Sequence, residues 1–249
     1  MRSFYNCNTS VTEINQSFFG SMEGIDQIEE YIVALGNPKY ESADGVLYTK
    51  GFTEIIRYPL AKADADYTIP ATVIRIQDSA FRDNVILTSV VIPDSVTSIG
   101  ELAFYGCSSI LGVVLGKNVE TIETYAFYDC SRIVEITIPD DVKEIGVYAF
   151  GYDNTNIKKV IVPNGVTSIH EVFLGGWYGL RQVEEYVVAS GNTIYESADG
   201  VLFTKGLLEL IRYPRAKADA SYTTPMDLTL IRDDAFRDNE YLTSASSHS

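Results

Sequence analysis

The chain has 249 residues, 46% hydrophobic and 21% charged, a globular balance without a low-complexity tract. Nineteen Lys and Arg against thirty-four Asp and Glu leave a net charge of −15, which disfavours nucleic acid and anionic membrane, since both reward clustered cations. No apolar run reaches the roughly 18 residues of a membrane-spanning helix, so no insertion into a bilayer is expected.

Two periodicities set the register. Ala-Phe pairs fall at Ala80-Phe81, Ala103-Phe104, Ala126-Phe127 and Ala149-Phe150, spaced 23 residues apart. Residues 11 to 89 also recur at 166 to 244 with a constant offset of 155, and 41 of the 62 positions from Ile28 to Ser89 are identical to their partners. A 23-residue coil cannot bury its apolar face alone and must stack on its neighbours. The whole of 1–249 is therefore read as one solenoid: a long coil, several short coils, then the long coil again.

In chain order, the opening Met1-Arg-Ser-Phe-Tyr-Asn-Cys7 lacks the apolar core of a secretory signal, so the chain is either cytosolic or a piece of a longer protein. The register aligns Tyr5 with Val160 and Cys7 with Val162, making Ser3 to Cys7 a strand of an array already running. Ile28 to Val33 is the next strand. The following one, at Tyr67 to Ile69, comes 36 residues later rather than 23. The extra length holds Val46 to Lys50 and Glu54 to Tyr58 around a turn containing Gly51, a hairpin repeated at 201–205 and 209–213.

In the short coils, Ser89 to Ile92 alternates out and in, and Pro93 ends the strand. Val96 and Ile99 form a second short extended or turn segment on the opposite wall. The Ala-Phe element is expected as a helical or 3₁₀ turn, with Phe as a core spine. At the far end, Ala245 and Ser247 occupy the places of Val90 and Ile92, so the apolar pattern stops in mid-coil.

The pattern Leu-x-x-Val-x-Ile-Pro-x-x-Val-x-x-Ile-Gly-x-x-Ala-Phe-x-x-Cys, carried by Leu87 to Cys107, resembles the BspA-like class of leucine-rich repeats. That class occurs in surface and secreted proteins of host-associated bacteria and protozoan parasites. The resemblance implies a β-rich leucine-rich-repeat solenoid with parallel strands on its concave face and short turns, 3₁₀ or helical, on the other side. It also implies binding through a broad surface, at the cell surface or after secretion, without naming a ligand.

Residues that carry chemistry are sparse. Cys107 and Cys130 share a column with Asn84 and Asn239, a ladder site turned inward toward the backbone of neighbouring coils, so free thiols are expected rather than a disulfide. His170 and His248 have no nucleophile implied beside them. Lys62-Ala-Asp64-Ala-Asp66 hints at calcium, but no Gly or closing Glu follows at the needed spacing, and the second copy has Ser221 for Asp66. Asn8-Thr-Ser10 and Asn15-Gln-Ser17 match the glycosylation triplet, which the second copy lacks. No catalytic, cofactor or metal site is expected.

Two surfaces remain. The outward strand positions are Glu30, Ile32, Asp66, Thr68, Ser89, Val91, Gly112, Val114, Glu135, Thr137, Lys159, Ile161, Glu185 and Val187, a mixed and partly apolar row suited to a protein ligand lying across several coils. Tyr105 and Tyr128 follow the repeat Phe, and Tyr125 and Tyr148 precede the Ala, giving an edge that serves either contact or packing between coils. Trp177 corresponds to Met22, which argues for packing there. The functional reading is an adhesin or antigen module that engages a host or matrix protein, against an intracellular scaffold or spacer without a specific ligand.

Overall fold

The alternation in Ser89 to Ile92 survives folding: Val90 and Ile92 are buried, while Val91 faces solvent. This pattern recurs through a computed structural model that describes residues 3–15, 19, 25–133, 137–151, 157–169 and 180–247.

Strands β1 (Ser3–Cys7) and β2 (Ile28–Val33) pair in parallel, so the N-terminal strand read from the register is present. Strands β3 (Tyr40–Ala43), β4 (Val46–Thr49) and β5 (Glu54–Arg57) follow as an antiparallel meander. Each later short coil contributes one strand to either wall: β6 (Asp66–Thr68) and β7 (Arg75–Ile76), β8 (Ser89–Val91) and β9 (Ser98–Ile99), β10 (Gly112–Val114) and β11 (Thr121–Ile122). Then come β12 (Glu144–Ile145), β13 (Lys159–Val162), β14 (Ser168–Ile169) and β15 (Glu185–Val188). The second meander is β16 (Tyr195–Ala198), β17 (Val201–Thr204) and β18 (Glu209–Arg212), followed by β19 (Ser221–Thr223), β20 (Leu230–Ile231) and β21 (Ser244–Ser246). The result is a parallel β-solenoid of about nine turns.

The long coils differ from expectation in two ways. Beside the hairpin β4–β5 stands a third strand, β3, and β5 joins the opposite wall by pairing in parallel with β7. The extra residues also interrupt the strand wall. Strand β2 is not paired with β6; instead the Tyr31 amide donates to the Gly45 carbonyl at 2.7 Å, and the Ala61 amide to the Ile28 carbonyl at 2.9 Å. The second copy repeats both contacts, Tyr186 to Gly200 at 2.8 Å and Ala216 to Val183 at 2.9 Å. At each break a lysine ammonium lies between two carboxylates: Lys62 meets Asp44 and Asp64 at 3.0 and 2.9 Å, and Lys217 meets Asp199 and Asp219 at 3.3 and 3.0 Å. The segment with a hint of calcium thus carries its own cation.

The core is a stack of identical rungs. Phe81, Phe104, Phe127 and Phe150 lie ring over ring with centroids 4.6, 4.9 and 5.3 Å apart, and Tyr58 continues the spine onto Phe81 at 5.2 Å. The Ala-Phe element around them is a run of tight turns instead of a helical segment. Ala103, Tyr105 and Cys107 donate to carbonyls three residues back, while Leu102, Phe104 and Gly106 donate to Thr124, Ala126 and Tyr128 of the next coil. Left-handed residues produce that alternation: Leu102 (φ 58°) and Gly106 (φ 70°) here, Tyr125 (φ 57°) and Asp129 (φ 58°) one coil on. They turn alternate amides out of the helical path and toward the neighbouring rung.

Cys107 and Cys130 are free and buried. Their column behaves as a ladder site. Asn84 accepts from the Ile86 and Leu87 amides at 3.0 and 2.8 Å, and the Asn239 amide reaches the Pro214 and Lys217 carbonyls at 2.8 and 3.0 Å. Glu135, His170, Trp177, Met22, Asn15-Gln-Ser17 beyond its first residue, and His248 lie outside the described residues.

Candidate protein-binding surface

Parallel in-register pairing lines up the outward side chains of β6, β8 and β10. Asp66 stands beside Ser89 and Ser89 beside Gly112, while Thr68, Val91 and Val114 form the adjoining row. Asp66, Thr68, Val91 and Val114 are exposed, Ser89 is half-buried, and Thr137 is exposed one coil further on. The second group is β13 and β15, where Lys159 faces Glu185 and Ile161 faces Val187.

The rows are not one continuous surface. On β2, Ile32 is exposed, but Glu30 is half-buried under the meander turn, where a Cβ on Gly45 would sit 2.9 Å from the Glu30 Cβ. Glu185 is covered in the same way by Gly200, and its carboxylate holds Lys159 at 2.8 Å. The open stretch is therefore centred on β6–β8–β10.

That stretch contains a trough of about 760 Å³ whose lining includes Asp66, Ser89, Leu111, Gly112, Val114 and Lys117. Gly112 creates it: it stands in the outward row without a side chain, and a Cβ there would meet nothing within 4 Å. Leu111, 45% exposed, and Val114, 61% exposed, make the floor and wall apolar, while Asp66 and Lys117 bring one charge of each sign. The outward alternation does not single out Leu111. The signal available was its column, where Thr88 and Thr243 stand in other coils.

The tyrosine edge packs on itself. Tyr105 stacks on Tyr128 at 5.1 Å and Tyr125 on Tyr148 at 5.5 Å, with Tyr125 meeting Tyr128 edge to face at 5.2 Å. The Arg82 guanidinium lies 4.9 Å from the Tyr105 ring centre, a cation–π contact. All four rings are half-buried.

Burial pushes the Cys107 and Cys130 thiols well above their ordinary range, which suppresses the nucleophilic thiolate. Among the described residues no group of His, Cys, Asp and Glu is placed to hold a metal ion, and no helix is long and apolar enough to cross a membrane.

Fold and repeat geometry define a leucine-rich-repeat solenoid. Residues 64–176 match six copies of the BspA type leucine rich repeat region, so the repeats of that segment are of the BspA type. Among solved structures, the pneumococcal vaccine antigen PcpA is similar over 99% of this chain and 56% of its own, at 21% identity and TM-score 0.69. A leucine-rich repeat protein from Eubacterium ventriosum is similar over 84% of this chain and 57% of its own, at 24% identity and TM-score 0.70. The T. pallidum leucine rich repeat protein gives TM-score 0.51 at 20% identity, over 78% of this chain and 77% of its own. The chain thus spans little more than half the length of the first two. No curated protein matches it in sequence.

Proposed function

We propose that the chain is a protein-binding module of a surface or secreted protein, engaging a host or matrix protein across the strand face of β6, β8 and β10. The observation that supports this most is the Gly112 trough, an apolar recess in an otherwise flat ladder and flanked by exposed Val91, Val114 and Leu111. Side chains of that kind, clustered and rimmed by polar groups, serve as the anchor of a protein contact. Similarity to a pneumococcal vaccine antigen agrees with a surface location. The net charge of −15 favours a basic partner at long range,.

Surface plasmon resonance on immobilised purified matrix proteins, at two salt concentrations, tests the reading. Saturable binding is expected, with an association rate that falls as salt rises and an affinity lowered by Val114→Asp. A folded chain that binds none of the panel leaves the spacer reading in its place.

A further inference from the structure

The two copies of the long coil align without gaps, and four of the residues that differ between them line one cleft. A cleft of about 420 Å³ in the second copy is lined by Arg181, Gln182, Arg215, Asp238, Glu240 and Tyr241, with Ala216. The corresponding residues of the first copy are Asp26, Gln27, Leu60, Asp83, Val85 and Ile86, with Ala61. Four of the seven have changed, against 21 of 62 (62 − 41) across the aligned stretch 28–89. The changes are chemically directed. Asp26 and Leu60 have both become arginine, and Val85 and Ile86 have become Glu240 and Tyr241.

A polar replacement inside a packed repeat is costly unless it is used. Leu60 is buried apolar core in the first copy, whereas the Arg215 side chain, only 6% exposed, fills its place in the second. One of its nitrogens meets Asp238 at 2.6 Å. Burial first, and then the like charges of Arg212 and Arg181, hold the Arg215 guanidinium below its usual range despite the opposing Asp238 carboxylate. Two guanidiniums, Arg181 and Arg215, thus line one small recess together with the Asp238 and Glu240 carboxylates. At the mouth, Tyr241 is 52% exposed, and Gln182 and Glu240 are exposed beside it.

We infer that this cleft binds a carboxylate-bearing sugar, with Arg181 and Arg215 taking the carboxylate, Tyr241 the ring face, and Gln182 and Glu240 the hydroxyls. Guanidinium forks match a planar carboxylate in geometry and charge. An exposed tyrosine ring offers a flat apolar platform with a polar tip, and a carboxamide and a carboxylate accept from hydroxyls. The assignment is independent of the strand face, because none of these residues belongs to it.

Isothermal titration of the full chain with sodium glucuronate, at constant ionic strength, tests the site, with glucose and inorganic sulfate as comparison ligands. Glucuronate should bind and glucose should not. Arg215→Leu restores the residue that the first copy folds around, and Arg181→Asp does the same at an exposed position; each should weaken glucuronate binding about tenfold or more, the loss expected for a charge-assisted pair. Thermal melts of both variants confirm folding. Absence of glucuronate binding, or affinity unchanged in both variants, overturns the site. Sulfate binding as tightly as glucuronate overturns the sugar assignment.

Discussion

The Cys107 thiol donates to the carbonyl oxygen of Phe81, 3.1 Å away in the preceding coil. Cys130 repeats the contact with Phe104 at 3.1 Å. These two thiols do for the ladder what the Asn84 and Asn239 amides do elsewhere, giving a second donor to a buried carbonyl that already accepts one backbone amide, Asn84 to Phe81 at 3.1 Å and Cys107 to Phe104 at 3.2 Å,.

Both thiols should resist a water-soluble thiol reagent in the native state and titrate fully once denaturant is added. Burial raises their pKa above the ordinary 9.0. The unfolded chain therefore releases these protons first as pH rises, and the contribution to stability is complete below about pH 9 and declines above it. Native reactivity, or a 107–130 disulfide in a non-reducing peptide map, would refute the ladder role.

Phe127 is stacked on both sides, by Phe104 and Phe150. Phe127→Ala should cost about 3–5 kcal/mol, the usual loss for a fully buried Phe. Phe236 is only half-buried, against Tyr213 and Tyr222, and the same change there should cost clearly less. Denaturant melts of the two variants make the comparison, and equal losses would contradict it.

Glycine at the meander turn answers to two demands. Gly45 has φ +75°, and a Cβ on it would lie 2.9 Å from Glu30 Cβ; Gly36 has φ +91° but open space around it. Gly36→Ala pays only the left-handed strain, about 1–2 kcal/mol. Gly45→Ala adds a clash against β2 and should lower the melting temperature further. Equal shifts in melting temperature would mean that the turn does not press on the strand.

Much of this architecture was legible in the sequence because stacking repeats a requirement every 23 residues. A column that holds Phe at 81, 104, 127 and 150 can only be a core rung, and a column that alternates Cys with Asn has to meet backbone. Features made by single contacts were not legible. Strand β3 reads Tyr-Glu-Ser-Ala, with little apolar signal, and it exists because β4 offers it an edge. The break in the strand wall is bridged by two single hydrogen bonds, Tyr31 to the Gly45 carbonyl and Ala61 to the Ile28 carbonyl. Left-handed φ at Leu102 and Tyr125 is imposed by the inter-coil ladder on residues that do not favour it,. On the candidate surface, Gly112 was placed in the outward row, but its consequence, a recess floored by Leu111, required the neighbouring strands.

The strand-face account is tested most directly by filling that recess. Gly112 lies in an ordinary strand conformation with free space beyond its missing side chain, so Gly112→Tyr should fold with an unchanged melt. Its affinity for a matrix protein bound by the parent chain, measured by surface plasmon resonance, should fall at least about tenfold, as for an anchor pocket blocked at the centre of an interface. Tyr105→Ser, on the edge, should leave that affinity within about twofold, a change of under ~0.5 kcal/mol. Undiminished binding by Gly112→Tyr, with loss in Tyr105→Ser, would place the ligand on the tyrosine edge and contradict the account.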